Sequence, residues 1–143
     1  MGEILHFDMG DKEYEKPNAD ISMATDYDQR YLGIITKIFC KVIDGWKDKT
    51  ADSLNEHLET GGQIAMYWYK MRLVGAILWK LEGDAWRITG IGFKRKKQNQ
   101  GFEKELLEYM FWKISEASAT PSIVQVASTK ENASLFRKHG FTN

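Results

Sequence analysis

The chain has 143 residues, a length typical of one domain. Its 20 Lys and Arg residues balance 20 Asp and Glu residues, and this zero net charge argues against a strongly basic nucleic-acid-binding protein. Apolar residues make up 43% of the chain, enough to bury a core, which argues against disorder. A single cysteine, Cys40, excludes an internal disulfide and a multi-cysteine zinc site, and the three histidines show no metal-ligand spacing.

The start of the chain lacks the features of a targeting segment. Residues 1–7 contain no basic region and no long apolar run, so they do not resemble a signal peptide. No apolar run approaches the roughly 20 residues that cross a bilayer. We therefore expect a cytoplasmic protein without a membrane segment.

The first third of the chain predicts an extension, one strand and two helices. Residues 1–19 are predicted as an N-terminal extension, because 8–18 are polar and charge-dense, and 20–143 as a single domain. A strand at 21–24 ends at a helix cap in 25–28. A short second helix over 50–58 follows a long first helix. The first helix is predicted from apolar residues recurring at spacings of three and four: Tyr31, Ile35, Ile38, Phe39, Val42 and Trp46.

The middle of the chain predicts three antiparallel strands. Apolar runs at 63–71 and 73–81 are separated by a tight turn, and a third strand follows at 85–93. Two glycines, Gly90 and Gly92, interrupt the third strand, which indicates a bulge or a separation of strands there.

The last third predicts a helix, a strand and a helix. A strongly amphipathic helix over 101–118 precedes a β-branched strand at 122–128 and a short helix at 132–139. A strand–helix–strand unit implies a parallel pair with a right-handed crossover, and we expect the two strands to separate beyond Gly92. The sequence therefore predicts an α/β fold with a mixed, mostly antiparallel central sheet flanked by helices.

The junction between the third strand and its helix is the most informative segment. A strand ends at Phe93, a basic stretch covers 94–97, and a helix begins at Gly101. Free N–H groups and the helix dipole at such a junction favour a bound phosphate. The alternative is a solvated basic loop with an ordinary turn glycine, since one glycine is a weak signal.

The spacing in this segment resembles the coenzyme A loop of the GCN5-related N-acetyltransferase (GNAT) superfamily. Gln98 and Gly101 match the family's Q/R-x-x-G-x-G/A loop, whereas Glu103 replaces its second small residue and Arg95 its usual proline. Residues 21–28 and 131–141 resemble the family's first strand and its late N…L-Y/F-x-K-x-G-F helix. The resemblance covers residues 20–141 in element order.

The resemblance implies an acetyl-CoA-dependent N-acyltransferase that moves an acetyl group directly to an amine of a small molecule or peptide. It implies backbone contacts to the pantetheine from the third strand and to the pyrophosphate from the loop. The coenzyme-binding residues implied are Ile91, Gly92, Phe93, Gln98, Asn99, Gln100, Gly101, Phe102, Glu103, Lys104 and Asn132. No metal is implied.

The chain departs from the family at its catalytic positions. Phe136 lies nearest to the usual proton-donating tyrosine, and residues 86–93 contain no carboxylate, so the catalytic residues stay unassigned. One alternative is therefore a GNAT-fold binding or structural module without catalysis. A second is a nucleic-acid-binding protein that uses residues 94–97, which the zero net charge disfavours.

Three further expectations concern packing. The aromatic residues at 67–69 are expected in the core rather than in an acceptor groove. Ser128 and Thr129 are expected to cap the last helix rather than to bond a thiolate in the cofactor groove. The family's last two strands have no counterpart here, so we expect the sheet edge to be covered by residues 3–8 or by a second subunit, with Trp112 as a candidate homodimer contact.

Overall fold

The structure, a computed structural model, describes residues 3–10, 12–117, 121–129 and 132–143. The helices and a short 3₁₀ turn are α1 (Gln29–Val42), α2 (Ala51–Glu59), η1 (Arg95–Lys97), α3 (Phe102–Glu116) and α4 (Ala133–Lys138). The strands are β1 (Ile4–Asp8), β2 (Ile21–Met23), β3 (Gln63–Tyr69), β4 (Arg72–Glu82), β5 (Ala85–Phe93) and β6 (Ile123–Ala127). They form one six-stranded sheet in the order β1-β6-β5-β4-β3-β2. The predicted α/β class and mostly antiparallel sheet are confirmed.

The three consecutive strands β3, β4 and β5 are antiparallel, as predicted. Lys70 and Met71 form the turn between β3 and β4, and both have positive φ, 50° and 66°. Two central residues with positive φ give the turn a twist that matches the flanking strands. The local sequence thus closes this hairpin without a glycine.

The strands β5 and β6 are parallel and are connected by α3, which confirms the predicted strand–helix–strand unit. Their pairing ends at Ile88 and Val126, whereas the sequence predicted separation beyond Gly92, so that boundary was wrong. The cause is a bulge in β5, because Leu78 and Trp79 of β4 face Gly90 and Ile88 and leave Thr89 unpaired. A bulge bends its strand and increases the twist, so the two strands part at the bulge.

The outer edge of β6 is covered by β1, which confirms one of the two predicted arrangements. The strands pair antiparallel from Ile4 opposite Ala127 to Asp8 opposite Ile123. On its other side, β1 bridges the chain end through His6 and Thr142. The strand lies within the segment predicted as an extension.

The sheet carries a hydrophobic cluster on each face. One contains side chains of α3, β1 and α4, and the other those of α1, α2 and the segment after α1. The first helix was predicted through Trp46 but ends at Val42, because Ile43 is extended and Gly45 has φ of +89°. Trp46 is nevertheless buried against Phe39, ring centroids 5.0 Å apart.

Within the described residues, no helix is both long and apolar enough to cross a membrane.

The imidazole of His57 joins α2 to β3 and makes stability depend on pH. Its Nε2 lies 2.9 Å from the carbonyl oxygen of Gln63, and burial lowers the pKa of His57. A lowered pKa means that the folded state disfavours the charged imidazole. The free energy of unfolding therefore falls as the pH drops below the pKa of this group in the unfolded chain, near 6.5. Chemical denaturation of wild type and His57→Gln across this range should show a smaller acid-side loss in the variant. An equal loss in both would assign the pH dependence to other groups, such as His139.

Candidate functional site

The divergence of β5 and β6 opens a cleft of about 620 Å³, called the β5–β6 cleft below. Four parts of the chain line it: the end of α1 with the segment after it, the end of β5, η1 with the loop leading into α3, and α4 with the residues before it. The lining residues are Cys40, Lys41, Val42, Ile43, Asp44, Lys47, Ile91, Gly92, Phe93, Arg95, Gln98, Asn99, Glu103, Thr129, Asn132, Ser134, Leu135 and Lys138.

The loop between η1 and α3 is held by hydrogen bonds from its own side chains. Gln98 Nε2 donates to the carbonyl oxygen of Phe93 at 3.1 Å, and Gln100 Nε2 donates to that of Lys96 at 2.7 Å. Asn99 and Gly101 have positive φ, 61° and 86°. These left-handed residues turn the chain into α3, whose first N–H groups have no intrahelical acceptors.

The carboxylate of Glu103 folds back onto this loop. Its Oε2 accepts a hydrogen bond from the N–H of Asn99 at 3.3 Å, and the residue lines the cleft. A carboxylate in the first turn of α3 is favoured by the helix dipole. A second anion at the same amide would therefore have to displace the side chain of Glu103.

The structure brings seven of the eleven coenzyme-binding residues implied by the sequence to the cleft. These are Ile91, Gly92, Phe93, Gln98, Asn99, Glu103 and Asn132. The other four, Gln100, Gly101, Phe102 and Lys104, do not line it. The ring of Phe102 packs on the opposite side of the loop against Tyr67 and Tyr69, with centroid distances of 4.9 and 5.5 Å.

The wall across from the loop is built around the start of α4. The N–H of Thr129 donates to Asn132 Oδ1 at 2.7 Å, and the N–H of Asn132 donates to Thr129 Oγ1 at 3.3 Å. The expected capping role of Thr129 was wrong, because its hydroxyl bonds the N–H of Asn132, which is itself the N-cap residue of α4, and not an N–H of the first turn. That of Ser128 was also wrong, because its hydroxyl donates to the carbonyl oxygen of Glu3 at 3.0 Å, where it ties β6 to the edge strand.

The sequence missed the contribution of α1 and the segment after it. Gly90 and Gly92 let this segment pack directly on β5: a β-carbon at Gly92 would lie 3.0 Å from Val42 Cγ2 and 3.3 Å from Ile43 Cδ1. Glycine within a strand often marks such a close approach. The two glycines were therefore the available signal, but they do not say which segment approaches.

The arrangement of hydroxyl groups bears on catalysis. Phe136, at the position nearest to the family's tyrosine, is 0% exposed and packs against Phe141. The hydroxyl of Tyr67 donates to Glu105 Oε1 at 2.6 Å; burial, together with that bond, raises the pKa of Tyr67. Tyr67 belongs to the core, as expected, and does not line the cleft. Neither Phe136 nor Tyr67 therefore places a proton donor in the β5–β6 cleft.

The charges lining the cleft are predominantly positive. Two carboxylates, Asp44 and Glu103, line it among the described residues. Four cationic residues line the same space: Lys41, Lys47, Arg95 and Lys138. The side chain of Arg95 also extends from η1 to α1, where its Nη2 donates to the carbonyl oxygen of Lys41 at 3.0 Å. An anionic ligand is thus favoured, more strongly at low salt than at high salt.

No protein-family model and no curated protein sequence matches the chain. Solved structures do match it in fold. A protein from the GNAT family of Novosphingobium aromaticivorans is 13% identical with a TM-score of 0.68, covering 97% of this chain and 58% of its own. A predicted acetyltransferase of Clostridium acetobutylicum, solved with acetyl-CoA, is 14% identical with a TM-score of 0.67, covering 87% of this chain and 90% of its own.

An aminoglycoside acetyltransferase from an uncultured soil metagenomic sample, solved with sisomicin, is 14% identical with a TM-score of 0.68, covering 84% of both chains. The chain spans little more than half the length of several structures that it matches. At these identities the comparisons show a shared fold, that of the GNAT acetyltransferases.

Proposed function

We propose that this chain, which has the GNAT fold, is an N-acyltransferase that binds acetyl-CoA in the β5–β6 cleft and transfers the acetyl group directly to an amine. The observation that carries the proposal is the cleft itself. It lies where two parallel strands part, beside the loop that leads into α3. Ligands of open α/β sheets favour such positions at the carboxyl ends of strands.

The residues around the cleft fit a long polyanionic thioester. Beyond Ile88 the strand β5 no longer pairs with β6, so its backbone at 91–93 borders the cleft. The N–H groups at the start of α3 and the lysines of the cleft suit the phosphates. When bound, acetyl-CoA would supply an activated acyl group; the chain itself would orient it, exclude water and accept the amine's proton.

A second candidate is a coenzyme-binding module without catalysis. The burial of Phe136 favours it, because a phenyl ring in the core supplies no proton to a departing thiolate. Both candidates require coenzyme affinity, whereas only the first requires turnover.

Two experiments separate the candidates. Calorimetric titration with acetyl-CoA and CoA measures coenzyme binding, and a thiol-release assay with a panel of primary amines then measures turnover. An N-acyltransferase should bind both nucleotides and release thiol only when an amine is present. Binding without release supports the module, and no binding to either nucleotide would contradict both.

Replacing Glu103 should strengthen coenzyme binding. Glu103→Gly removes a carboxylate that occupies the N–H of Asn99 and repels a pyrophosphate. We expect a Kd about fivefold lower, corresponding to ~1 kcal/mol for one partly exposed charge. Glu108→Gln is a matched control, because Glu108 lies on the same helix but does not line the cleft. An unchanged Kd for Glu103→Gly would show that the carboxylate does not compete with the coenzyme.

A further inference from the structure

The turn after α1 carries a carboxylate to the cleft. Asp44 lies between Ile43 and Gly45, and both Ile43 and Asp44 line the cleft. The glycines of β5 make this possible, because larger side chains there would hold α1 and its turn away from the strand. Because Gly90 and Gly92 have no side chains, β5 offers no base at these two positions.

Contacts on both sides hold this turn in place. Before Asp44, the side chain of Ile43 lies against Gly92. After it, Trp46 is 7% exposed, packs edge-on against Phe39, and donates its N–H to the carbonyl oxygen of Ile43 at 3.2 Å. The residues on both sides of the exposed Asp44 are therefore packed against β5 and α1, which places its carboxylate at the rim of the cleft.

Asp44 is the carboxylate of the cleft that has no partner among the described residues. Glu103 is engaged by the N–H of Asn99, whereas no hydrogen bond or ion pair joins Asp44 to a described residue. The charged or titratable groups that share the cleft with it come from α1, the segment after it, η1, α3 and α4: Cys40, Lys41, Lys47, Arg95, Glu103 and Lys138. A carboxylate that no described residue engages is available to a cationic group of a bound ligand.

We propose that Asp44 binds the ammonium group of the acceptor and takes its proton, an inference that rests on the proposed acyltransferase function. The freed nitrogen lone pair forms a C–N bond to the acyl carbon as the C–S bond breaks. The proton that this nitrogen then loses passes to the departing sulfur, and Asp44 returns its own proton to water. Asp44 thereby replaces the carboxylate that β5 lacks.

The test compares Asp44→Asn with Asp44→Glu and with Asp48→Asn, a control in the same exposed segment that does not line the cleft. Calorimetry measures acetyl-CoA affinity and then the affinity of the CoA-saturated protein for the amine that turns over fastest. Thiol release gives kcat for each variant. We expect Asp44→Asn to lose roughly 100-fold in kcat, the lower end of the range for general base catalysis.

Asp44→Asn should bind acetyl-CoA no more weakly than wild type but should bind the amine more weakly, and Asp44→Glu should recover part of the lost kcat. A wild-type kcat in Asp44→Asn, with coenzyme binding intact, would overturn the assignment but leave the acyltransferase proposal standing. Turnover of no amine by a protein that binds acetyl-CoA would also overturn it. Absence of acetyl-CoA binding in wild type would instead refute the function on which it rests.

Discussion

The variant Gly101→Val should lose coenzyme binding, with a Kd at least about 100-fold higher. Gly101 begins α3 with φ of +86°, a conformation that a β-branched residue rarely adopts. The variant must rebuild the loop and redirect the N–H groups that would hold the pyrophosphate. Loss of two charge-assisted hydrogen bonds, each worth about 1.5–3 kcal/mol, accounts for that factor. Calorimetric titration with CoA measures it.

The control for this variant is Gly83→Val. Gly83 also has positive φ, +62°, and a β-carbon there, as at Gly101, would meet open space. It lies in the β4–β5 turn, outside the cleft, so it carries a similar backbone strain without touching the loop. Both variants should lose about 1–2 kcal/mol of stability. If Gly101→Val binds CoA like wild type, as Gly83→Val should, the loop is only a turn.

The variant Leu5→Ala should destabilise the protein by about 3 kcal/mol, within the range for truncating a buried leucine. Leu5 is 0% exposed and belongs to the same hydrophobic cluster as α3 and β6. Its strand is the one that covers the outer edge of β6. Urea denaturation followed by tryptophan fluorescence measures the change in the free energy of unfolding.

The neighbouring Ile4→Ala provides the matched comparison. Ile4 lies on the same strand but is 50% exposed, so its truncation should change stability by no more than about 0.5 kcal/mol. A difference between the two variants would show that β1 folds as part of the sheet. Equal, small effects would mean that the edge strand adds little to the stability of the domain.

The order and type of the elements from β2 to α4 were determined by local sequence. Apolar residues spaced three and four apart place α1 and α3, and alternating or continuous apolar runs place β3 to β5, because these periods follow from backbone geometry. The same local information indicated the loop at 98–101, where residues of fixed backbone preference lie between a strand and a helix. The bulge near Gly90 could also be predicted, since glycine tolerates an irregular strand.

Long-range packing decided the remaining features of the site. The point where β5 and β6 part depends on which residue of β4 faces the bulge, and no local pattern encodes that register. The end of α1 and the position of Asp44 depend on how closely Phe39 and Trp46 can approach Gly90, a contact between distant parts of the chain. Local sequence therefore sufficed to predict the loop at 98–101, and the resemblance to the GNAT coenzyme A loop supplied the ligand that we propose for it. Only the tertiary structure brought Asp44 to the cleft, because its position depends on side-chain volumes across the sheet.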